Sequence, residues 1–158
     1  MWNDYAIARA LHVLAIVMWV GGVGFVTTVL IPAIRRRFHP DQQYAMFEDV
    51  EYRFGAQARF WVLLALASAG WMLHSTDSWA RLRDTGWLHL MMAAWLPFFL
   101  MLFVLEPFIV HRWLKQRAQR DPEGTMARVQ WLHVALLCLS LAAVLAGVVG
   151  AHGGWRLA

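Results

Sequence analysis

The polar chemistry of this chain is concentrated in its seven histidines. His12, His74, His89 and His152 each fall near one end of a different apolar stretch, whereas His111 and His133 lie toward the opposite ends and His39 sits between stretches. An imidazole is at once a metal ligand, a proton carrier and a hydrogen-bonding group. Ionisable groups buried in apolar surroundings are costly, so each one needs a partner. Haem iron takes axial imidazoles, and helical bundles build cofactor sites from side chains on facing helices. Four histidines at one depth on four helices therefore point first to haem. Trp19, Trp71 and Trp95 are candidates for the flat apolar walls of such a site. The competing reading is that each imidazole bonds a nearby carbonyl or snorkels to the interface.

Helical phase predicts which way these side chains point. Ala8, Ala15, Trp19, Gly22 and Val26 fall within about 80° of His12 at 3.6 residues per turn. Small residues mark the faces on which membrane helices approach closely, so His12 is expected to face other helices. Ala67 and Gly70 suggest the same for His74, while His89 shares its face with Ala93, Leu96 and Leu100. Met72 and His74 form an M-x-H pair, and His89, Met91 and Met92 form H-x-M-M. Thioether and imidazole together suit Cu(I), which makes copper the alternative metal. Methionine also fills gaps in apolar cores, and Met72 and His74 are about 200° apart around a helix. Glu106, just before Pro107, reads as an ion-paired or snorkelling carboxylate near Arg112, or as a proton or quinone-headgroup site. Leu-His recurs as Leu11-His12, Leu73-His74, Leu88-His89 and Leu132-His133, a weak internal echo.

The elements that must position these residues follow from composition. Hydrophobic residues make up 60% of the 158 and charged ones only 15%, against about a quarter in a soluble domain. About 20 apolar residues cross a bilayer, and four stretches qualify, about 6–31, 58–77, 87–110 and 129–151. Backbone groups in lipid have no water to bond, so all four are expected to be helical. The expected fold is all-α: a single integral membrane domain over 1–158, a four-transmembrane-helix bundle. A short interfacial helix starting at Pro40 and Asp41 is expected in the first loop, with Met46, Phe47, Val50 and Phe54 as its apolar stripe. Pro97 and Pro107 predict a bend in the third span.

Arg35, Arg36, Arg37, Arg53, Arg59, Arg112, Lys115, Arg117, Arg120 and Arg128 fall on one side of such a bundle, against Arg9, Arg81, Arg83 and Arg156. Basic loops face the cytoplasm, so both termini are expected on the outer, periplasmic side of a bacterial cytoplasmic membrane. The net charge of +4 then reflects topology rather than a nucleic-acid surface. Trp2, Trp79, Trp87 and Trp155 fit an outer aromatic belt. The first span lacks a basic leader and a cleavage site, so it is expected to be retained. Cys138 is the only cysteine, which rules out a disulfide within one chain.

The stretch Leu11-His12-Val13-Leu14-Ala15-Ile16-Val17-Met18-Trp19-Val20-Gly21-Gly22, followed by Phe25, resembles the opening helix of the CopD-like superfamily. That group includes copper export proteins and is similar to the HemJ-type protoporphyrinogen oxidases of bacteria. Gly86-Trp87-Leu88-His89 resembles the start of the HemJ third helix, whose pattern continues W-L-H-x-K; here Met91 stands at the lysine position. The resemblance covers the four-span plan and implies haem b held from the first and third helices, on His12 and His89. The expectation is a haem b-binding membrane cytochrome with His12 and His89 as axial ligands, and a second haem at His74 and His152 if there are two. It would pass electrons between a quinone or other small redox carrier and an outer-face partner such as a periplasmic electron carrier. The alternatives are a HemJ-like oxidase, which would make it a membrane oxidoreductase, and a CopD-like copper protein. Membrane lipid is its expected surrounding, nucleic acid is not an expected partner, and homo-oligomerisation stays open.

The orientation is directly testable. Cysteines placed at Arg36 or Arg117 should be shielded from an impermeant thiol reagent in intact cells, and cysteines at either terminus labelled. Stronger labelling at Arg117 than at the C-terminus would reverse the orientation.

Overall fold

The computed structural model describes residues 3–153. It is helical almost throughout, with four helices long and apolar enough to cross a membrane. These are α1 (Asp4–Arg37), α2 (Pro40–Ser75), α3 (86–120) and α4 (Pro122–Ala151). α1 packs along α2 and α3 along α4, giving two hairpins that lie against each other. The four expected stretches are thus helical and long and apolar enough to span a membrane, and Trp2, Trp155 and Arg156 lie outside the described residues. Large apolar side chains such as Val17, Phe25, Phe60, Trp131 and Leu145 stay exposed, whereas small ones such as Ala15, Ala58 and Ala65 are buried. This is the arrangement expected where lipid, rather than water, covers the outside and close backbone approach holds the inside.

The turns at the arginine-rich end are short, and proline makes both. Phe38 (φ −110°, ψ 148°) and His39 (φ −63°, ψ 145°) are extended, as the residue before a proline tends to be. Pro40 then opens α2 at a position where a missing N–H costs nothing. Asp121 alone separates α3 from α4. Its side chain caps α4 by accepting from the Gly124 N–H at 3.0 Å, and Pro122 follows.

These turns correct the expected short interfacial helix. A helix does start at Pro40, but it runs unbroken for 36 residues to Ser75. Of its expected stripe, Phe47 is buried beneath Val26, Ile31, Ile34, Met126 and Val129, and Phe54 packs at the margin of the same cluster. Phe47 and Phe54 therefore serve the core rather than a membrane anchor, while Met46 stays exposed. The other helices also outlast their apolar runs: α1 continues to Arg37 and α3 to Arg120, so the arginines ride on helix rather than loop.

Two stretches wind as π-helix, Val26–Leu30 in α1 and Met101–Val110 in α3. The second begins four residues after Pro97 and contains Pro107, which is where the distortion expected of α3 lies. In both stretches a proline leaves one carbonyl short of a donor. In the first, the Ile31 N–H reaches back five residues to the Val26 carbonyl. The next donor in that register would be Pro32, aimed at the Thr27 carbonyl, and proline has no N–H. The Thr27 carbonyl is served instead by the Gln130 side-chain amide of α4, at 2.9 Å. In the second stretch the same register pairs Pro107 with the Leu102 carbonyl. There Arg59 of α2 donates through Nε at 3.0 Å. Each hairpin thus supplies a side chain that completes the backbone of the other.

The exchange predicts a compensation. Gln130→Leu should cost about 1 kcal/mol, and less in a Pro32→Ala background, where residue 32 regains an N–H for the Thr27 carbonyl. Unfolding of the four proteins of this cycle in detergent measures the coupling. An equal cost in both backgrounds would mean that Gln130 serves some other need.

Candidate functional site

The expected face of α1 is buried as read: Ala8, Ala15, Trp19 and Val26 are each at most 4% exposed, and the Phe54 ring lies over Gly22. His12 on this face is half-buried against α2. Its Nδ1 lies 2.9 Å from the Ala65 carbonyl and 3.2 Å from Ser68 Oγ. A carbonyl can only accept, so Nδ1 carries the proton. Ser68 directs its own hydroxyl at the Leu64 and Ala65 carbonyls and so faces His12 as an acceptor. The neutral ring then keeps its lone pair on Nε2. An imidazole held through Nδ1–H to a carbonyl, with Nε2 left open, is the arrangement metal-ligating histidines adopt. Trp19, two turns further along the same face, has its Nε1 buried without a hydrogen-bond partner among the described residues.

The other three histidines of this end are exposed. His89 reaches back to the Leu82 carbonyl through Nε2 at 2.7 Å, which leaves its lone pair on Nδ1. It would offer Nε2 to a metal only on releasing that carbonyl. Its face, Ala93, Leu96 and Leu100, is exposed as well, because α3 buries Ala94 and Phe98 instead. His152 donates Nδ1–H to the Val148 carbonyl one turn back, at 2.8 Å, leaving Nε2 open. His74 lies beside the Trp71 ring, with centroids 6.2 Å apart. The expectation that His74 faces other helices does not hold. α2 buries Ala58, Val62, Ala65 and Ser68, and His74 lies about 120° around the helix from Ser68. Among the described residues, no hydrogen bond or ring contact joins any two of these four histidines, and no three His, Cys, Asp or Glu side chains group as ligands for a metal ion.

Of the proposed aromatic walls, Trp19 meets Phe98 edge-on at 4.7 Å, Trp95 donates to the Val62 carbonyl at 3.1 Å, and Trp71 is 52% exposed. Met91 packs its methyl against Gly147, where a Cβ would collide with it. At the position of the lysine in the resembling family, it fills the α3–α4 contact. His133 is half-buried, bonded to the Val129 carbonyl of its own helix at 2.8 Å with the Phe47 ring edge-on. His39 pairs with Asp41 at 2.6 Å in the open. His111 opens the last stretch of α3, and its side chain lies outside the described residues.

A second polar centre lies toward the arginine-rich end. Glu106 is ion-paired as one reading expected, but with Arg59 of α2, at 3.1 Å, rather than with Arg112. Gly55 lets α2 come against the Glu106 carboxylate, and Glu51 lies within electrostatic range of both Glu106 and Glu48. Arg59 thus binds two groups on α3, the Leu102 carbonyl and the Glu106 carboxylate. Sequence reasoning counted Arg59 as a loop charge. The available signal was opposite charge at matching depth on two helices, with a proline after the acid.

A double-mutant cycle tests this joint role. Arg59→Met should destabilise the protein by about 1–3 kcal/mol, and Glu106→Gln by less. Arg59→Met should still cost stability in the Glu106→Gln background, because the Leu102 carbonyl has lost its donor there too. Complete loss of the Arg59 effect in that background would reduce its role to the ion pair.

No family model, curated protein or solved structure matches this chain.

Proposed function

We infer that this chain is a haem b-binding membrane cytochrome that passes electrons. The observation that carries the reading is the His12 ring: it is half-buried between helices, held through Nδ1, and left with a lone pair on Nε2. A bound haem would supply one-electron chemistry. The chain would supply His12 as a ligand to its iron, with Ala65 and Ser68 fixing the tautomer and raising the basicity of the ring. The likeness of the first and third helices to the CopD-like and HemJ-type proteins supports His89 as the second ligand. That role requires the His89 side chain to leave the Leu82 carbonyl. A quinone or another small carrier and an outer-face partner would exchange the electrons. The arginine-rich end would face the cytoplasm of a bacterial inner membrane.

Haem content and spin state test the reading. Purified protein should be red and give a pyridine haemochrome spectrum of b type. His12→Ala should lose the haem or turn it high-spin, and His89→Ala should do the same. Full low-spin haem in both variants would end the assignment, and a colourless protein that binds Cu(I) would favour copper. Stoichiometry addresses His74 and His152: two haems per chain, falling to one in either alanine variant, would assign them a second haem. One haem, unaffected by both changes, leaves them interfacial.

A further inference from the structure

The cytoplasm-assigned end of α3 carries a cleft that neither the histidines nor the ion pair explains. Trp113, Gln116, Arg117, Arg120 and Asp121 line it. The guanidinium of Arg117 lies 5.2 Å over the Trp113 ring, which fixes one face of that side chain. Its Nε is buried and has no hydrogen-bond partner among the described residues. A buried guanidinium donor without an acceptor is costly. Asp121 is the carboxylate of the lining, and it is already engaged: Oδ1 accepts from Gly124 and Oδ2 lies 3.7 Å from Arg128. The Arg117 carbonyl is in turn served by the Asp121 N–H at 2.8 Å. That carbonyl therefore makes no demand on the arginine side chains. What remains is a cleft with two guanidinium groups, a side-chain amide and an indole, and a surplus of positive charge.

Depth identifies the medium around it. Arg117 lies about 6 Å outside the apolar run of α4 when counted across the Asp121 turn to Val129, and about 10 Å beyond that of α3 when counted from Val110, a range that a side chain as long as arginine spans. The headgroup layer is roughly 5–8 Å thick on each side of the hydrocarbon. Paired guanidinium groups match the forked geometry of a phosphate oxyanion, and basic pockets at this level take anionic headgroups. We propose that this cleft binds a phosphate group, carried by an anionic lipid, between Arg117 and Arg120 with Gln116 as a further donor. The site is independent of haem and of the histidine end.

The test uses the full chain in nanodiscs of phosphatidylcholine alone or with phosphatidylglycerol added, reading the thermal midpoint. Phosphatidylglycerol should raise the midpoint, and Arg117→Gln and Arg120→Gln should each remove most of that rise. Arg81→Gln and Arg83→Gln, at the opposite end, should keep it. Titrating inorganic phosphate into phosphatidylcholine nanodiscs separates the sources. A weaker rise there, lost in the same two variants, supports the phosphate chemistry, and a rise equal to that given by the lipid overturns the lipid as carrier. If the rise with phosphatidylglycerol is absent, or survives both Arg117→Gln and Arg120→Gln, the cleft is not a phosphate site. Because glutamine keeps amide donors, each variant is checked for folding by its midpoint in phosphatidylcholine alone.

Discussion

A carbonyl without a donor inside an apolar layer is the constraint on which this architecture turns. Water cannot repair it there, so either the backbone or a side chain must. Pro32 and Pro107 each withhold one N–H from a π-wound stretch, at Thr27 and at Leu102. The replacements come from across the bundle: Gln130 reaches from the second hairpin to the first, and Arg59 from the first to the second. Each proline therefore creates a need that only correct pairing of the hairpins meets. That gives the association of two apolar hairpins a polar specificity that greasy packing alone lacks. Thr27 adds to the seam through its hydroxyl, which donates to the Val23 carbonyl and at 3.4 Å to that of His133.

Apolar burial, rather than an unserved carbonyl, explains the unusual length of the helices. Past the apolar runs, a chain in water could have ended its helices and formed loops. Instead α1, α2 and α3 continue, because Ile31, Ile34, Tyr44, Phe47 and Met126, with Leu114 and Ala118 of α3 packed against them, still have apolar surface to bury. The arginines then project from a packed helical end. Their charge is gathered at one end of the bundle, and the core beneath keeps their helices in register.

Much of this was readable from residues alone. Runs of apolar residues gave the four spans, and the spacing of Ala8, Ala15, Trp19 and Val26 gave the buried face of α1 correctly. The two prolines of α3 announced a distorted helix. The sequence was silent where two faces of one helix were equally small. On α2, Ala67 and Gly70 resembled a packing face as much as Ala58, Ala65 and Ser68 did, and only contact with α1 chose between them. The misread interfacial helix has a similar origin. An apolar stripe beside arginines looks the same whether it meets lipid or another helix, and Phe47 met another helix. Of the histidines, His12 was legible on its packed face, but the rotation of those near helix ends was not, because such a side chain can turn to a carbonyl of its own chain, as His89 and His152 do.

The polar seam between the hairpins is also unevenly placed. Among the described residues, its hydrogen bonds run from Gln130, Thr27, Arg59 and Trp95, all in the middle or toward the arginine-rich end. At the terminal end the described bonds stay within a hairpin. His12 binds Ala65 across the α1–α2 pair, while Met91 and Trp87 of α3 lie on Gly147 and Gly150 of α4. Separating the hairpins there would break apolar contacts but none of these hydrogen bonds, whereas separating them at the other end would strand two carbonyls. A flat apolar cofactor that replaced those contacts with its own would therefore ask least of the fold at the end where the four histidines lie. The one imidazole of the four already seated between helices, His12, has its ring oriented by a bond internal to the first hairpin and so unaffected by movement of the second.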